Sequence, residues 1–250
     1  MIPSPIPKAL STFSQHNVKS LLIGGQACIL YGAAEFSRDI DMAVLISPGN
    51  LNDLKSALNE LEAERIFYPD LSEDVLQRGH ACHFRCQRED AKGLRIDIIG
   101  VMRGVAPFTE LWERRQEIEL PEAGKIAVIG LSDLVKAKKT QRDKDWPMIR
   151  RLVEADIFNT SGVPPEKQIC FWFAECRTSE LLLMLTEKYP EMAERMSANR
   201  SLLHSALQDN QEELQRLLKE EEDYEREADQ QYWKPLRDEL EAWRLGKTER

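Results

Sequence analysis

Two stretches decide how this chain is read. The first is Val18-Lys19-Ser20-Leu21-Leu22-Ile23-Gly24-Gly25-Gln26-Ala27. The second begins after thirteen residues separating Gly25 from Asp39, and runs Asp39-Ile40-Asp41-Met42-Ala43-Val44-Leu45-Ile46. Val18 to Ile23 is a compact apolar run closed by two glycines, the pattern of a buried strand followed by a turn. Gln26 to Tyr31 can follow as a helix with Gly32 as its stop. Ile40 to Ile46 reads as a second strand. Residues i and i+2 of a strand share a face, about 6.5–7 Å apart along the backbone. Asp39 and Asp41 therefore aim two carboxylates at one spot, while Ile40 points into an apolar layer.

Outward from this pair, strand and helix signals alternate. Pro7 to His16 predicts a short helix with Ala9, Leu10 and Phe13 on one face. Leu51, Leu54, Leu58 and Leu61 recur at helical spacing through Asn50 to Glu64, with Asn50 as a plausible cap. His80 to Gln87 and Leu94 to Val101 read as paired strands across the polar turn Arg88 to Gly93. Lys125 to Ile129 is a last short strand. Interleaved strands and helices imply an α/β (α+β) fold with a small mixed sheet flanked by helices.

From Leu131 the character changes. Ser132 is expected to cap a helix carrying Leu134, Val135 and Ala137, which runs on into the polar stretch Lys138 to Asp145. Asn159-Thr-Ser-Gly-Val-Pro-Pro165 is the best linker in the chain. It suggests a first domain over 1–158 and an all-helical C-terminal region over 159–250. There the longest helix is expected from about Leu202 to Tyr232, with Leu203, Leu207, Leu214, Leu217, Tyr224 and Ala228 as its apolar positions and Pro235 as its break. The acidic run Glu220 to Asp229 reads as the solvated face of that helix. Trp172, Trp233, Trp243, Tyr224 and Tyr232 read as packing residues.

The chemistry gathers at the acids. Parallel carboxylates repel unless a cation lies between them, and oxygen-only ligands favour a hard ion such as Mg²⁺. Arg95-Ile96-Asp97-Ile98-Ile99 places a third acid in an apolar strand, where an unpaired charge is costly. If that strand neighbours the first, Asp97 completes a three-carboxylate cluster. Such a cluster can hold two metals about 3.5–4 Å apart, the clamp used for in-line phosphoryl or nucleotidyl displacement. The glycine pair suits the same chemistry, because its backbone N–H groups can approach a phosphate closely at a helix start.

Gly24-Gly25-Gln26-Ala27, Asp39-Ile40-Asp41 and Asp97 together resemble the signature of the DNA polymerase β-type nucleotidyltransferase superfamily. Leu134 to Asp145 resembles the helix that follows the catalytic sheet in minimal and abortive-infection-toxin-type members. The resemblance covers about residues 15–155. It implies two Mg²⁺ ions and transfer of a nucleoside monophosphate from an NTP, ATP among them, to an acceptor hydroxyl with release of pyrophosphate. By that carry-over Gly24 and Gly25 hold the triphosphate, Asp39 and Asp41 bind both metals, and Asp97 binds the catalytic one. Lys138 or Lys139 and Arg142 face the phosphates, with Asp145 pairing with or orienting one of them. Many toxin-type members carry Arg four residues and Thr two residues before the first acid. Here Glu35 and Ser37 stand there, so Ser37 keeps the hydroxyl and the adjacent Arg38 is the substitute cation.

Composition bounds the partners. The 250 residues are 42% hydrophobic and 31% charged, as in a globular protein. No aliphatic run approaches the roughly 20 residues that span a bilayer, and Met1 to Pro7 lacks the basic and apolar regions of a secretory signal. Five cysteines do not read as a disulfide framework, so a cytoplasmic setting is expected. The net charge of −9 falls mostly beyond residue 150, which disfavours a phosphate-tracking nucleic-acid surface there. The acceptor is then a small polyol-like molecule, a protein side chain or an RNA end, with the first two favoured. The C-terminal helices could serve a homodimer or an antitoxin partner. The alternative reading is a non-catalytic nucleotide-binding or toxin–antitoxin interaction module of the same fold. His80, Cys82, His83 and Cys86 are suitable zinc ligands, but their spacing fits no usual finger. On a strand His83 faces away from His80, Cys82 and Cys86, so four ligands could not converge; buried cysteines with a half-exposed histidine are the favoured reading, and a place for His83 on the acid-bearing face is the alternative.

Overall fold

A computed structural model of the protein describes residues 5–34 and 36–246. Glu35, one of the two departures noted above, lies outside the described residues, as does the start of the segment read for a secretory signal. Contacts between Cα atoms divide the chain into two compact units. The first takes in the described residues up to Leu30, Ala34–Ala137 and those from Tyr232 on; the second takes in Tyr31–Ala33 and Lys138–Gln231.

The first unit is built on a seven-stranded sheet. In chain order it comprises α1 (Pro5–Gln15), β1 (Ser20–Ile23), α2 (Gly24–Leu30), β2 (Asp39–Val44), α3 (Pro48–Glu60), β3 (Ala63–Arg65), α4 (Glu73–Gln77), β4 (Cys82–Cys86), β5 (Arg95–Ile99), α5 (Phe108–Glu113), β6 (Gln116–Leu120), β7 (Gly124–Val128) and α6 (Leu131–Ala137). The strands lie in the order β3-β4-β5-β2-β1-β7-β6. The pairs β2–β5 and β1–β7 are parallel and the others antiparallel. This is the expected mixed sheet flanked by helices.

Register explains the layering. Ile40 pairs with Ile96, which pairs with Phe84, and Met42 pairs with Ile98, which pairs with Cys82. All six side chains are buried, so the two rows form an apolar layer on one face of three adjacent strands. Leu21, Leu22, Leu54, Leu61 and Leu134 are fully buried in the same unit. Burial of such side chains contributes about 1.5–3 kcal/mol each.

Several elements differ from expectation. Ser47, not Asn50, caps α3: its side chain accepts from the Asn50 backbone N–H. The Asn50 amide instead turns inward, donating to the Lys19 and Leu45 carbonyls and accepting from the Lys19 N–H. A buried amide is stabilised by satisfying all three bonds at once. The strands β3 and β6, on the two outer edges of the sheet, and the short helices α4 and α5 were not expected from sequence. Gln116-Glu-Ile-Glu-Leu120 has no fully buried position, so its polar alternation hides an edge strand.

The second unit is helical: α7 (Asp145–Asn159), α8 (Glu166–Glu175), α9 (Ser179–Lys188), α10 (Pro190–Ser197), α11 (Leu203–Leu207) and α12 (Gln211–Arg244), whose last residues belong to the first unit. Trp146, Trp172, Phe173, Leu182, Leu185, Leu203 and Leu214 are its buried apolar groups. The expected continuous helix through Lys138 to Asp145 is broken, because α6 ends at Ala137 and α7 starts at Asp145. The expected long helix is interrupted at 208–210 and then runs through Pro235 without a break. Proline inside a helix costs about 3 kcal/mol. Tertiary anchors on either side offset that cost. The Tyr232 hydroxyl lies beside Gly79, Glu239 accepts from His80 at 2.7 Å and pairs with Arg78, and Trp243 packs 4.8 Å from the His80 ring. Tyr224, expected to pack, is 73% exposed. No helix among the described residues is long and apolar enough to cross a membrane.

Candidate active site

The sheet face opposite the apolar layer carries two polar rows. Asp41 pairs with Asp97, which pairs with His83; one step along, Asp39 pairs with Arg95, which pairs with Arg85. Neighbouring strands are about 4.8 Å apart, so each row is a line of side chains in mutual reach. The three acids expected from sequence thus come from adjacent strands, and all three side chains are half-buried.

The glycine turn is fitted to the first row. Gly24 adopts φ +66°, and a Cβ there would lie 1.9 Å from Asp41 Oδ2. Only glycine tolerates both conditions. The Gly25 N–H donates to Asp41 Oδ2 at 3.4 Å, and a Cβ on Gly25 would meet Ser37 Oγ at 2.6 Å. The Gln26 amide donates to the Ser37 carbonyl at 2.9 Å, and the Ser37 hydroxyl donates to the Asp39 carbonyl at 3.3 Å. These bonds seat the segment leading into β2 against the start of α2. Arg38 is exposed, with its guanidinium 5.5 Å from the centre of the Phe36 ring.

Asp97 is held differently. Its Oδ1 lies 2.8 Å from His83 Nδ1 and accepts from Arg95 Nε at 2.8 Å. Burial pushes the Asp97 carboxyl up, but the His83 and Arg95 hydrogen bonds outweigh it and hold it below the usual carboxylate range. Arg95 packs 5.7 Å from the centre of the Phe67 ring, and Phe67 meets His83 edge-on. The hydrogen bond to Asp97, with smaller contributions from the Asp39 and Asp41 charges, holds its guanidinium above the ordinary arginine range.

Oxygen-only donors beside a glycine turn fit a hard divalent cation at Asp39 and Asp41. Among the described residues, however, no three His, Cys, Asp or Glu side chains converge so that they could together hold a metal ion. Arg95 is the residue that sequence reasoning missed. The signal was available: it stands two positions before Asp97 on the same strand face, with the opposite charge.

The other expected phosphate-facing residues lie in the second unit, each with a carboxylate partner. Lys138 is buried and its Nζ lies 2.9 Å from Asp145 Oδ1. Asp145 also accepts from Thr140 at 2.7 Å and from Arg142 Nε at 2.8 Å. Lys139 Nζ lies 2.8 Å from Glu175. Of the four possible zinc ligands, Cys82 and Cys86 are buried and His83 lies on the acid face. Burial pushes the thiols up, to about 12 for Cys82 and about 11 for Cys86.

No protein-family profile and no curated protein matches the chain. Among solved structures it is similar to a protein from H. pylori described as a "putative nucleotidyltransferase", at 15% identity and a TM-score of 0.40, covering 85% of this chain and 93% of that one. It is also similar to JHP933 from Helicobacter pylori, at 14% identity and a TM-score of 0.38, covering 86% and 90%.

Proposed function

We propose that the protein is a Mg²⁺-dependent nucleotidyltransferase that moves a nucleoside monophosphate from an NTP to an acceptor hydroxyl. One observation carries the reading. Asp39 and Asp41 share a face of a central strand, and Asp41 is locked against a glycine turn that admits no side chain at Gly24. Two half-buried carboxylates on one face are a donor set suited to a hard cation, and the turn keeps the approach to them open.

A bound Mg²⁺ supplies charge neutralisation on the triphosphate. The chain's own part is positioning and electrostatics. Asp39 and Asp41 hold the cation. Gly24 and Gly25 allow the phosphates to come close to the backbone, with the Ser37 hydroxyl and the exposed Arg38 beside them. Asp97, fixed by His83 and Arg95, faces the acceptor hydroxyl and orients it in line with the α-phosphate. The acceptor is a small molecule, a protein side chain or an RNA end, and the acidic C-terminal half favours the first two.

The test is incubation with each α-labelled NTP, Mg²⁺ and whole-cell extract, for wild type and Asp41→Asn. Wild type should transfer label to one fraction, and the variant should lose at least about 10²-fold, the range typical of removing one preorganised electrostatic group. Its melting temperature should stay the same or rise, since carboxylate repulsion is relieved. Equal labelling by both proteins, or none by wild type, refutes the assignment.

A further inference from the structure

We propose that Arg95 takes the place of a second metal ion, so that the site holds one divalent cation, at Asp39 and Asp41, instead of two. The inference rests on the nucleotidyltransferase reading and specifies its cation site. Arg95 and Asp97 stand two residues apart on β5 and share a face. Their side chains join through a 2.8 Å hydrogen bond. Across β2 the register sets Arg95 directly beside Asp39 and Asp97 directly beside Asp41. The guanidinium is therefore within the acid group, not at its rim.

Three further observations fix it there. Phe67 packs against the guanidinium, restricting its swing. His83 Nδ1 and Arg95 Nε each lie 2.8 Å from Asp97 Oδ1, so the same Asp97 oxygen has two nitrogen partners. Finally, no three acidic or metal-ligating side chains converge among the described residues, although the register makes Asp41 and Asp97 neighbours. Asp97 Oδ1 is committed to nitrogen partners.

Charge gives the same answer. Arg95 lowers the three negative charges of the carboxylates to two, and Arg85, next in the same row, lowers them further, so one divalent cation suffices. A second would leave an excess of positive charge against a fixed guanidinium that cannot lose its proton. Bonded to Asp97, the residue expected to bind the catalytic ion, Arg95 puts a permanent, geometrically fixed positive charge in that ion's place. It cannot polarise a bound water as a metal does.

Mn²⁺ alone is the probe, counted by electron paramagnetic resonance during titration of the full chain without nucleotide. Wild type should bind one ion. Arg95→Met removes the fixed positive charge and one of the two nitrogen partners of Asp97 and should bind two, and Arg95→Met combined with Asp97→Asn should return to one. Arg95→Lys keeps the charge and should bind one, which checks that the count follows charge and not loss of fold. Two ions in wild type, or one in a folded Arg95→Met protein, overturns the inference while leaving the nucleotidyltransferase reading in place. No binding by wild type, or binding unchanged by Asp41→Asn, overturns both.

Discussion

At the scale of the residue, the site depends on a single missing methyl group. Gly24 combines a positive φ with a backbone that touches the Asp41 carboxylate. Alanine at this position incurs about 1–2 kcal/mol for the left-handed conformation and drives the Asp41 carboxylate out of its place. Gly24→Ala should therefore lower stability by about that amount. It should also weaken Mn²⁺ binding by roughly tenfold or more, since a charge-assisted contact is worth about 1.5–3 kcal/mol. Thermal melts and Mn²⁺ titration read the two effects separately, and unchanged Mn²⁺ affinity would contradict the geometry described here. The necessity of Gly24-Gly25 was legible from sequence as a turn. Which atom the missing Cβ spares was not, because Asp41 lies on the next strand, far beyond Gly24 in the chain.

At the scale of the element, the segment between α6 and α7 shows how local pattern can mislead. Leu134 to Asp145 has the composition of a helix, yet it is interrupted because Asp145 collects Lys138, Thr140 and Arg142 around one fully buried carboxylate. A turn satisfies all three bonds; a straight helix cannot bring residues 138 and 140 to the same group. Burial raises the Asp145 carboxyl, but Lys138 and then Arg142 and Thr140 hold it below the ordinary value. A depressed folded value means that stability is present above the unfolded value of about 3.9 and is lost as pH falls through the folded one. Asp145→Asn should cost about 3–5 kcal/mol at pH 7 by leaving Lys138 buried without a counter-charge. The gap to wild type should narrow below pH 4. Urea unfolding at pH 7 and pH 3 measures both, and a pH-independent gap would refute the linkage.

At the scale of the whole molecule, the end of the chain returns to the first unit. Glu239 is the partner of Arg78 and of the buried His80, whose other ring nitrogen has no hydrogen-bond partner among the described residues. Trp243 covers the same histidine and lies 6.0 Å from Tyr68. Deleting residues 232–250 strips these contacts at once. Loss of the His80 hydrogen bond alone costs about 1–3 kcal/mol. The truncated protein should melt several degrees lower, and Glu239→Gln, which keeps an acceptor for His80, should recover most of the Glu239→Ala loss. Differential scanning calorimetry of the truncation and both point variants tests this. No change on truncation would mean that the terminal segment contributes nothing to the first unit.

By itself the sequence determined the alternation of strands and helices, the pairing of the strands around residues 82–86 and 95–99, and the common face of Asp39 and Asp41. Each follows from a short-range period: two residues for a strand, three or four for a helix. Tertiary structure alone decided that Asp97 sits beside Asp41, that Arg95 stands within the acids, that Lys138 is buried against Asp145, and that Pro235 leaves its helix intact. Those outcomes depend on register between strands and on contacts between residues far apart in the chain. No local pattern encodes them, because the energy that selects them appears only when the distant partner arrives.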